Sequence, residues 1–281
     1  MVYRHIEVRP IAGALGAEIG GVDLKAPLED AVFGEIHQAF LEHLVVFFHG
    51  ADLAPGEQRE FAARFGAPNR YPFAQGVDGH PDVIEIVKME EETENFGGGW
   101  HSDTTYLERP PKATCLQAKV VPPVGGDTLF ANMYLAYEAL SAGMKAMLEG
   151  LVLQNSASLK GRNPVTRFGF QAMAGQNEDK AEETYAEHPV VRTHPETGRR
   201  ALYLNRLHSR AFKGMTETES APLIDYLCSH AVKPEFTCRF TWGVGSIALW
   251  DNRCAMHNPI NDYQGQRRVM HRITIEGERP V

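Results

Sequence analysis

The sequence predicts a mainly β protein in which helices flank a double-sheet β barrel. Strand-like runs are short and numerous, helix-like segments are few, and strongly apolar strands cluster near the C-terminus. Strands separated by Gly- and Pro-rich turns are typical of sandwiches and barrels, in which each sheet buries one face against the other. We find no internal repeat and no low-complexity linker, so residues 1–281 are expected to form a single domain.

The first half of the chain alternates strands with helices. Helical spacing of the apolar residues predicts helices at 29–44, 54–66 and 134–149. Runs rich in β-branched and aromatic residues predict the strands of this half. These strands are HIEVRPI (5–11), AEIGGVDL (17–24), VVFFHG (45–50), DVIEIVKM (82–89), ATCLQAKVV (113–121) and DTLFANM (127–133).

The second half is richer in strands. Residues 155–188 are polar and irregular, with a helix expected at 178–188, and a segment of this length inside a compact domain is typical of a lid. A hairpin is expected at 189–205. Thr216 and Glu219 have capping-box spacing, which predicts that a helix begins there. The C-terminal strands are FTCRFTW (236–242), SIALWDN (246–252) and RRVMHRITIEG (267–277).

Composition and charge narrow the classes of function. The formal net charge of −8 is unsuited to non-specific binding of nucleic acid, which requires a basic face. The N-terminus lacks the basic-then-apolar pattern of a secretory signal, and no apolar run reaches the ~18–20 residues of a membrane helix. The 4 cysteines are scattered, which is typical of thiols in a reducing cytoplasm. We therefore expect a cytoplasmic protein without nucleic-acid or membrane partners.

The tripeptide His101–Asp103 is either one arm of a metal site or part of a polar loop. His-x-(Asp/Glu) pairs arise readily by chance among 12 histidines, and three others occur in the chain. His80-Pro-Asp82 is expected in a Gly-rich turn, and His5 lies near a terminus that frays easily. His194 and Glu196 are expected in the exposed turn of the 189–205 hairpin.

The block LWDNRCAMHNPINDYQGQRRVMHRITI (249–275) supplies a further histidine and two arginines. His257 lies just beyond an apolar strand, which places it at the open end of the barrel. Because strand side chains alternate between faces, Arg268, Met270 and Arg272 are expected to point the same way. A buried guanidinium needs an anionic partner, and its planar fork of donors suits carboxylates and sulfonates. The block predicts a pocket for one or two anions beside a histidine.

A shared metal ion would give His101, Asp103 and His257 a chemical reason to lie close together. Two neutral imidazoles and one carboxylate are the ligands of a non-haem Fe(II) site that keeps three positions open. A closed zinc site needs a fourth protein ligand, and none has suitable spacing. His101 and Asp103, at the start of a strand, project to one side, and His257 would arrive from a distant strand. The alternative is a loop His–Asp pair together with an unrelated core histidine.

Three separated blocks resemble the taurine dioxygenase/chlorophenoxyacetate dioxygenase family of Fe(II)- and 2-oxoglutarate-dependent oxygenases. The resemblance covers nearly the whole chain, and the three blocks occur in the order found in the family. They are WHSDTTYLERPPKATCLQAKVVPPVGGDTLFANMYLAYEAL, HPVVRTHPETGRRALYLN and WDNRCAMHNPINDYQGQRRVMHR. The resemblance implies a double-stranded β-helix, a cupin-like jelly roll, whose mouth holds iron. It also implies an assembly into homodimers or homotetramers.

The resemblance implies a role for each matching residue. His101, Asp103 and His257 would hold Fe(II), which activates O₂. Thr128 and Arg268 would bind the distal carboxylate of 2-oxoglutarate, the co-substrate that is converted to succinate and CO₂. Arg272 would bind the acidic group of the primary substrate, and a C–H bond of that substrate would be hydroxylated.

Substrate residues are matched less completely than the metal ligands. Tyr71 and His208 lie at positions of the family's substrate pocket, but polar pocket residues of the taurine enzyme are replaced, one of them by Gly97. These changes disfavour taurine and favour a less polar anion: an alkyl sulfonate, a sulfate ester, or an aryloxy or other carboxylic acid. Two alternatives remain, namely desaturation or another oxidation on the same scaffold, and a jelly-roll binding protein without turnover.

Overall fold

Two facing sheets with helices outside form the fold of the computed structural model. The structure describes residues 3–70, 76–157 and 185–281. Within these ranges nine strands make the large sheet, and their order in space follows. They are β1 (Glu7–Pro10), β2 (Ala17–Gly20), β3 (Val45–Phe48), β15 (Ile247–Asp251), β7 (Ala113–Val120), β17 (Arg268–Ile275), β6 (His80–Lys88) and β5 (Gly76–Val77), with β4 (Pro68–Asn69) paired to β17.

Smaller sheets complete the barrel. The sheet that carries part of the site consists of β14 (Thr237–Phe240), β8 (Thr128–Asn132) and β16 (Ala255–Pro259). A second contains β10 (Tyr185–Pro189), β9 (Val152–Ser156) and β13 (Ser209–Phe212), and β11 (Val191–Thr193) pairs with β12 (Arg200–Leu202). The helices are α1 (Asp30–His43), α2 (Pro55–Ala63), α3 (Met133–Glu138), α4 (Ala142–Leu148) and α5 (Glu217–Ala231), followed by a 3₁₀ turn at Pro234–Phe236.

Alternation along the central strands divides the core in two. Val46 and Phe48 of β3 pack into a cluster with α1 and α2 on the outer face of the large sheet. Val45 and Phe47 pack into the second cluster, between the sheets, together with Phe130 of β8. Both faces of the large sheet are therefore buried, and its central strands are apolar on both faces. The predicted β fold with flanking helices, a jelly-roll core, is confirmed.

Several local predictions need correction. The helix predicted over 134–149 is two helices, because the Ser141 side chain accepts a hydrogen bond from the Met144 N–H and caps a new helix. Residues 185–188 were expected at the end of a helix but lie in β10, which pairs with β9. His80 begins β6 rather than lying in a turn.

Two predicted features lie wholly or partly outside the described residues. Most of the lid-like insertion expected at 155–188, namely 158–184, lies outside the described residues, as does Tyr71. Among the helices that the structure does describe, each is too short or too polar to cross a membrane. The helix predicted to begin at the capping box is confirmed, since the Glu219 N–H donates to Thr216 Oγ1 over 3.2 Å.

Candidate active site

The two predicted histidine ligands are joined through the backbone. The His101 N–H donates to the His257 carbonyl over 3.0 Å, and the His257 N–H donates back to the His101 carbonyl over 2.8 Å. Their ring centroids are 4.2 Å apart. His257 lies inside β16, a strand that the sequence did not reveal, and His101 forms an isolated bridge with it rather than beginning a strand. Pairing of the main chain thus fixes one imidazole relative to the other.

Asp103 completes the cluster. Its Oδ1 lies 3.8 Å from His101 Nε2 and 3.9 Å from His257 Nε2. Two metal–ligand bonds of about 2.0–2.2 Å span up to ~4.4 Å between donor atoms, so a single ion can contact all three. Asp103 belongs to a turn in which Thr104 has a φ of 43°, and not to the strand that was expected. The three predicted ligands are nevertheless brought together.

The protonation states suit a cation. Burial lowers the pKa of both His101 and His257, so the imidazoles are neutral. His101 Nδ1 lies 2.9 Å from the Gly99 carbonyl, to which it donates, and its Nε2 lone pair therefore faces Asp103. Burial alone would raise the pKa of Asp103, but the Arg272 guanidinium and the Thr114 hydroxyl hold it well below its ordinary value. The cluster offers two neutral nitrogens and one carboxylate.

A buried hydrogen-bond chain orients the carboxylate. The Thr114 hydroxyl donates to Asp103 Oδ2 over 2.6 Å, and the Asn252 amide donates to Thr114 Oγ1 over 2.9 Å. Asn252 Oδ1 in turn accepts from the Trp250 indole N–H over 3.0 Å. These contacts leave Oδ1 of Asp103 directed at the histidines. The sequence analysis missed Thr114 and Asn252, and the only available signal was that Asn252 stands in the same short block as His257.

Arg272 lies beside the cluster. One of its terminal nitrogens, Nη2, is 2.8 Å from Asp103 Oδ1, and the residue is buried. The arginine predicted to bind the substrate therefore also neutralises a predicted metal ligand. A guanidinium has five N–H donors, so one ion pair with Asp103 is compatible with a second anion on the same side chain.

A cavity of about 40 Å³ extends from the cluster along β17. As the alternation predicted, Arg268, Met270 and Arg272 all line it. Arg268 is 8% exposed, and its Nε and Nη2 have no hydrogen-bond partner among the described residues. Burial lowers the pKa of Arg268, but its ordinary value is so high that the group stays charged. A buried cation with unused donors indicates a site for an anion.

Thr128 lies in the same cavity and is oriented by a residue that the sequence analysis missed. Its hydroxyl oxygen accepts from the Trp242 indole N–H over 2.9 Å, which leaves the hydroxyl proton available to an acceptor. Trp242 also lies below Arg268, with 5.8 Å between the guanidinium carbon and the ring centroid. No local motif marks Trp242, because its role depends on contacts with β8 and β17.

A wider groove of about 1010 Å³ lies next to the loop that precedes His101. Gly98, Gly99 and Trp100 line the groove, whereas Gly97 and His101 line the small cavity, and Pro259 borders both. A Cβ atom at Gly97 would lie 3.4 Å from His101 Nε2, and the φ of 72° at this position disfavours any side chain. Glycine therefore keeps the space beside the metal-binding nitrogen open.

His208, predicted near the substrate, lies close to the cluster. Its ring centroid is 6.3 Å from that of His101, and its Nδ1 is 2.9 Å from Thr105 Oγ1. Burial and the neighbouring His101 lower the pKa of His208 to about 3, so the ring is neutral. The other histidine prediction was wrong: His194 is buried rather than exposed in its turn, because it contacts Asp251.

Comparisons with known proteins agree with this geometry. The sequence model of the family described as "Taurine catabolism dioxygenase TauD, TfdA family" matches residues 7–274. An alkylsulfatase of Acinetobacter baylyi is 35% identical, over 98% of this chain and 86% of the relative. An alpha-ketoglutarate-dependent sulfate ester dioxygenase of Pseudomonas putida is also 35% identical, over 99% and 91%. The crystal structure of a taurine dioxygenase from Burkholderia xenovorans superposes with a TM-score of 0.83 at 36% identity, covering 99% of this chain and 91% of that one.

Proposed function

The chain belongs to the taurine catabolism dioxygenase TauD, TfdA family, and on that premise we propose that it is an Fe(II)- and 2-oxoglutarate-dependent dioxygenase that hydroxylates a small organic anion. The observation that carries the proposal is the convergence of His101, Asp103 and His257 beside Arg268, a buried arginine with unused donors.

Iron suits the donor set better than a structural zinc. The cluster offers three ligand atoms within 4.8 Å of one another, and a cavity adjoins it where a fourth protein ligand of a closed site would stand. When bound, Fe(II), 2-oxoglutarate and O₂ supply an oxidant that replaces a C–H hydrogen with hydroxyl, giving succinate and CO₂ as co-products. The protein's own contribution is binding, orientation and exclusion of water.

The co-substrate is assigned to the small cavity. Arg268 provides a charged fork for the distal carboxylate, and Thr128 provides a hydroxyl proton whose direction is set by Trp242. Arg272 lies two cavity-facing positions further along, beyond Met270 and beside Asp103, where it can bind the acidic group of the primary substrate. One strand thereby separates the two anions that the reaction requires.

Within the organic anions we favour a sulfate ester. Two relatives covering nearly the whole chain are named for sulfate esters, and Gly97 leaves room for bulk beside the iron. Hydroxylation of the carbon that bears the ester oxygen would be followed by cleavage of the carbon–oxygen bond, loss of the hydroxyl proton, and release of sulfate and an aldehyde. Tyr71 and His208 are proposed as further substrate contacts.

The test is succinate formation by the purified protein with Fe(II), 2-oxoglutarate and air. Parallel assays would contain an alkyl sulfate, the matching alkyl sulfonate, and a phenoxyalkanoic acid. We expect substrate-dependent succinate that is largest with the sulfate, together with stoichiometric sulfate release. Asp103→Ala is the control and should give none. Absence of succinate with every compound, and of a visible band on anaerobic mixing of Fe(II) and 2-oxoglutarate, would refute the enzyme assignment.

We also propose that the protein works in the cytoplasm. All four cysteines are buried free thiols, which suits a reducing cytoplasm. Burial raises the pKa of Cys115, Cys228 and Cys238 to about 12, so these thiols are unreactive.

A further inference from the structure

A second buried cation faces the co-substrate arginine. Lys88 of β6 and Arg268 of β17 are directly paired in the antiparallel register, so their side chains leave the sheet on the same face. Lys88 is 3% exposed and Arg268 is 8% exposed. In the described parts of the chain neither forms an ion pair with a carboxylate within 4.0 Å. Two buried cations on one face, with no carboxylate in direct contact among the described residues, are costly unless an anion joins them.

The surroundings of Lys88 do not neutralise it. Its ammonium lies 4.3 Å from the ring centroid of Tyr263 and 3.5 Å from Gln264 Oε1, at the limit of a hydrogen bond. Burial lowers the pKa of Lys88, and the charges of Glu92 and Glu94 oppose that shift from beyond bonding distance. The lysine is therefore held by a ring face rather than by an acid.

Tyr263 connects the lysine with the co-substrate cavity. The residue is 3% exposed, and its ring packs against Gly126, two residues before Thr128. Burial raises the pKa of Tyr263, while the charge of Arg268 and the amide of Asn95 act in the opposite direction. The tyrosine thus has the Lys88 ammonium 4.3 Å from its ring centroid and lies within range of the Arg268 charge.

Two loops, at residues 93–95 and 259–264, cover the side chains of Lys88, Tyr263 and Arg268. The Asn261 amide donates to the Thr93 carbonyl over 2.8 Å, and the Gln264 amide donates to the same carbonyl over 3.1 Å. The Asn95 amide donates to the Pro259 carbonyl over 3.2 Å. This cover leaves Lys88 only 3% exposed.

We propose that Lys88 is the second positive charge of the co-substrate anion site and acts through Tyr263. It is a positioning residue: its ammonium fixes the tyrosine ring over the turn before Thr128, and its charge adds to that of Arg268 on a bound distal carboxylate. This inference rests on the proposed function, because it takes the anion at Arg268 to be 2-oxoglutarate. It predicts that Lys88 strengthens the binding of keto acids that carry a distal carboxylate and does not affect the binding of keto acids that lack one.

The experiment compares Lys88→Met, which keeps the apolar stem, with Lys88→Arg, which keeps the charge. For each protein one measures the KM for 2-oxoglutarate, kcat, and the inhibition constant of 2-oxopentanoate, which has the same carbon chain but lacks the distal carboxylate. Lys119→Met is the matched control, because Lys119 lies on β7 beside β17 and already pairs with Asp52 over 2.6 Å.

The expected result is selective. Lys88→Met should raise the KM for 2-oxoglutarate about fivefold, as expected for a partly screened unit charge several ångströms away, with kcat unchanged. The inhibition constant of 2-oxopentanoate should stay within twofold, Lys88→Arg should restore the wild-type KM, and Lys119→Met should have no effect. If Lys88→Met does not fold, Lys88→Gln takes its place in the same comparison.

Other outcomes overturn the inference. An equal change for both keto acids, or no change for either, means that Lys88 only holds the loops. Arg268→Met separates this failure from failure of the proposed function. If the wild-type enzyme forms succinate and Arg268→Met discriminates between the keto acids while Lys88→Met does not, only the role of Lys88 is lost. If no variant and no wild-type protein forms succinate, the proposed function itself is lost.

Discussion

Within residues 3–70, 76–157 and 185–281, two buried clusters contain histidine and aspartate, and one of the two is suited to a metal. His101, Asp103 and His257 form the first, and His194, Asp251 and Cys254 form the second. In both, the potential ligand atoms lie within 4.8 Å of one another. Residue type, spacing and burial therefore do not distinguish them.

The second cluster has already used its lone pairs. His194 Nδ1 accepts from two backbone N–H groups, each at 3.2 Å, so its Nε2 carries the proton and donates to Asp251 Oδ2 over 3.0 Å. Asp251 also receives the Arg253 side chain, with contacts of 2.8 and 2.6 Å. Burial raises the pKa of Cys254 well above its ordinary value, so the thiol stays protonated.

The first cluster keeps one nitrogen of each imidazole free, although Arg272 already contacts Asp103 Oδ1. His101 Nδ1 is used by Gly99, but the Nε2 atoms of both histidines face Asp103 at distances too long for a hydrogen bond. The lesson is that a metal site is identified by lone pairs without a partner, and not by the presence of ligand-type residues. The same criterion separates Arg268, which has unused donors, from Arg253, which has carboxylate partners.

The largest effect is expected from removing a ligand of the first cluster. His257→Ala should abolish Fe(II)-dependent succinate formation and lower metal affinity at least ~100-fold, beyond the range seen for outer-sphere changes. His194→Ala, a buried histidine of the second cluster, should bind the metal normally. Titration of the folded proteins with Fe(II) under argon measures both, and loss of binding in His194→Ala would contradict the comparison.

Asp251→Ala should act on stability instead. Removing Asp251 leaves the buried Arg253 with the partly exposed Glu196 as its remaining carboxylate partner and should lower the free energy of unfolding by about 3–5 kcal/mol. Asp225→Ala, which breaks the exposed pair with Arg206 (2.9 Å), is the control and should cost about 0–1 kcal/mol. Urea denaturation of the metal-free proteins gives both values, and similar losses in the two variants would argue against the structural role of Asp251.

Arg268→Ala should weaken co-substrate binding. Loss of a charged hydrogen-bond partner costs ~2–4 kcal/mol, so the KM for 2-oxoglutarate should rise about 30–1000-fold. Arg267→Ala, the neighbouring arginine that is predicted to point away from the cavity, is the control. Initial rates measured over a range of 2-oxoglutarate concentrations give the KM of each variant. An unchanged KM in Arg268→Ala would contradict the role assigned to Arg268.

The smallest effect concerns the hydrogen bond that orients Asp103. Thr114→Val removes the 2.6 Å contact to Asp103 Oδ2 and should lower metal affinity about 10–100-fold without unfolding the protein. Thr237→Val removes an exposed hydroxyl that bonds only the Pro234 carbonyl, and it should leave the affinity unchanged. Equal affinities in the two variants would show that the carboxylate needs no external orientation.

Local pattern sufficed for β17 and for the residues it directs into the cavity. Alternation within a single strand is a local property, and Arg268, Met270 and Arg272 line the cavity as predicted. The convergence of His101 with His257 depended on matching separated blocks. β16 was missed because the short segment Ala255–Pro259 has no period of its own and is defined by its pairing with β8.

Burial of polar residues was harder to predict than the strands. The sequence placed His194 in an exposed turn because its neighbours Pro195 and Glu196 are turn-like, whereas its partner Asp251 lies 57 positions away. Thr114, Asn252 and Trp242 were missed for the same reason. A hydrogen bond between distant residues leaves no trace in composition or periodicity, so such contacts require coordinates.

The mutual backbone hydrogen bonds between His101 and His257 bear on how a metal ion would enter and leave the proposed site. Because main-chain pairing brings the two histidines together, we expect the proposed uptake of iron to need no folding step. Circular dichroism of the apo and loaded forms should therefore coincide, and protein stripped by a chelator should regain activity as quickly as Fe(II) can diffuse in.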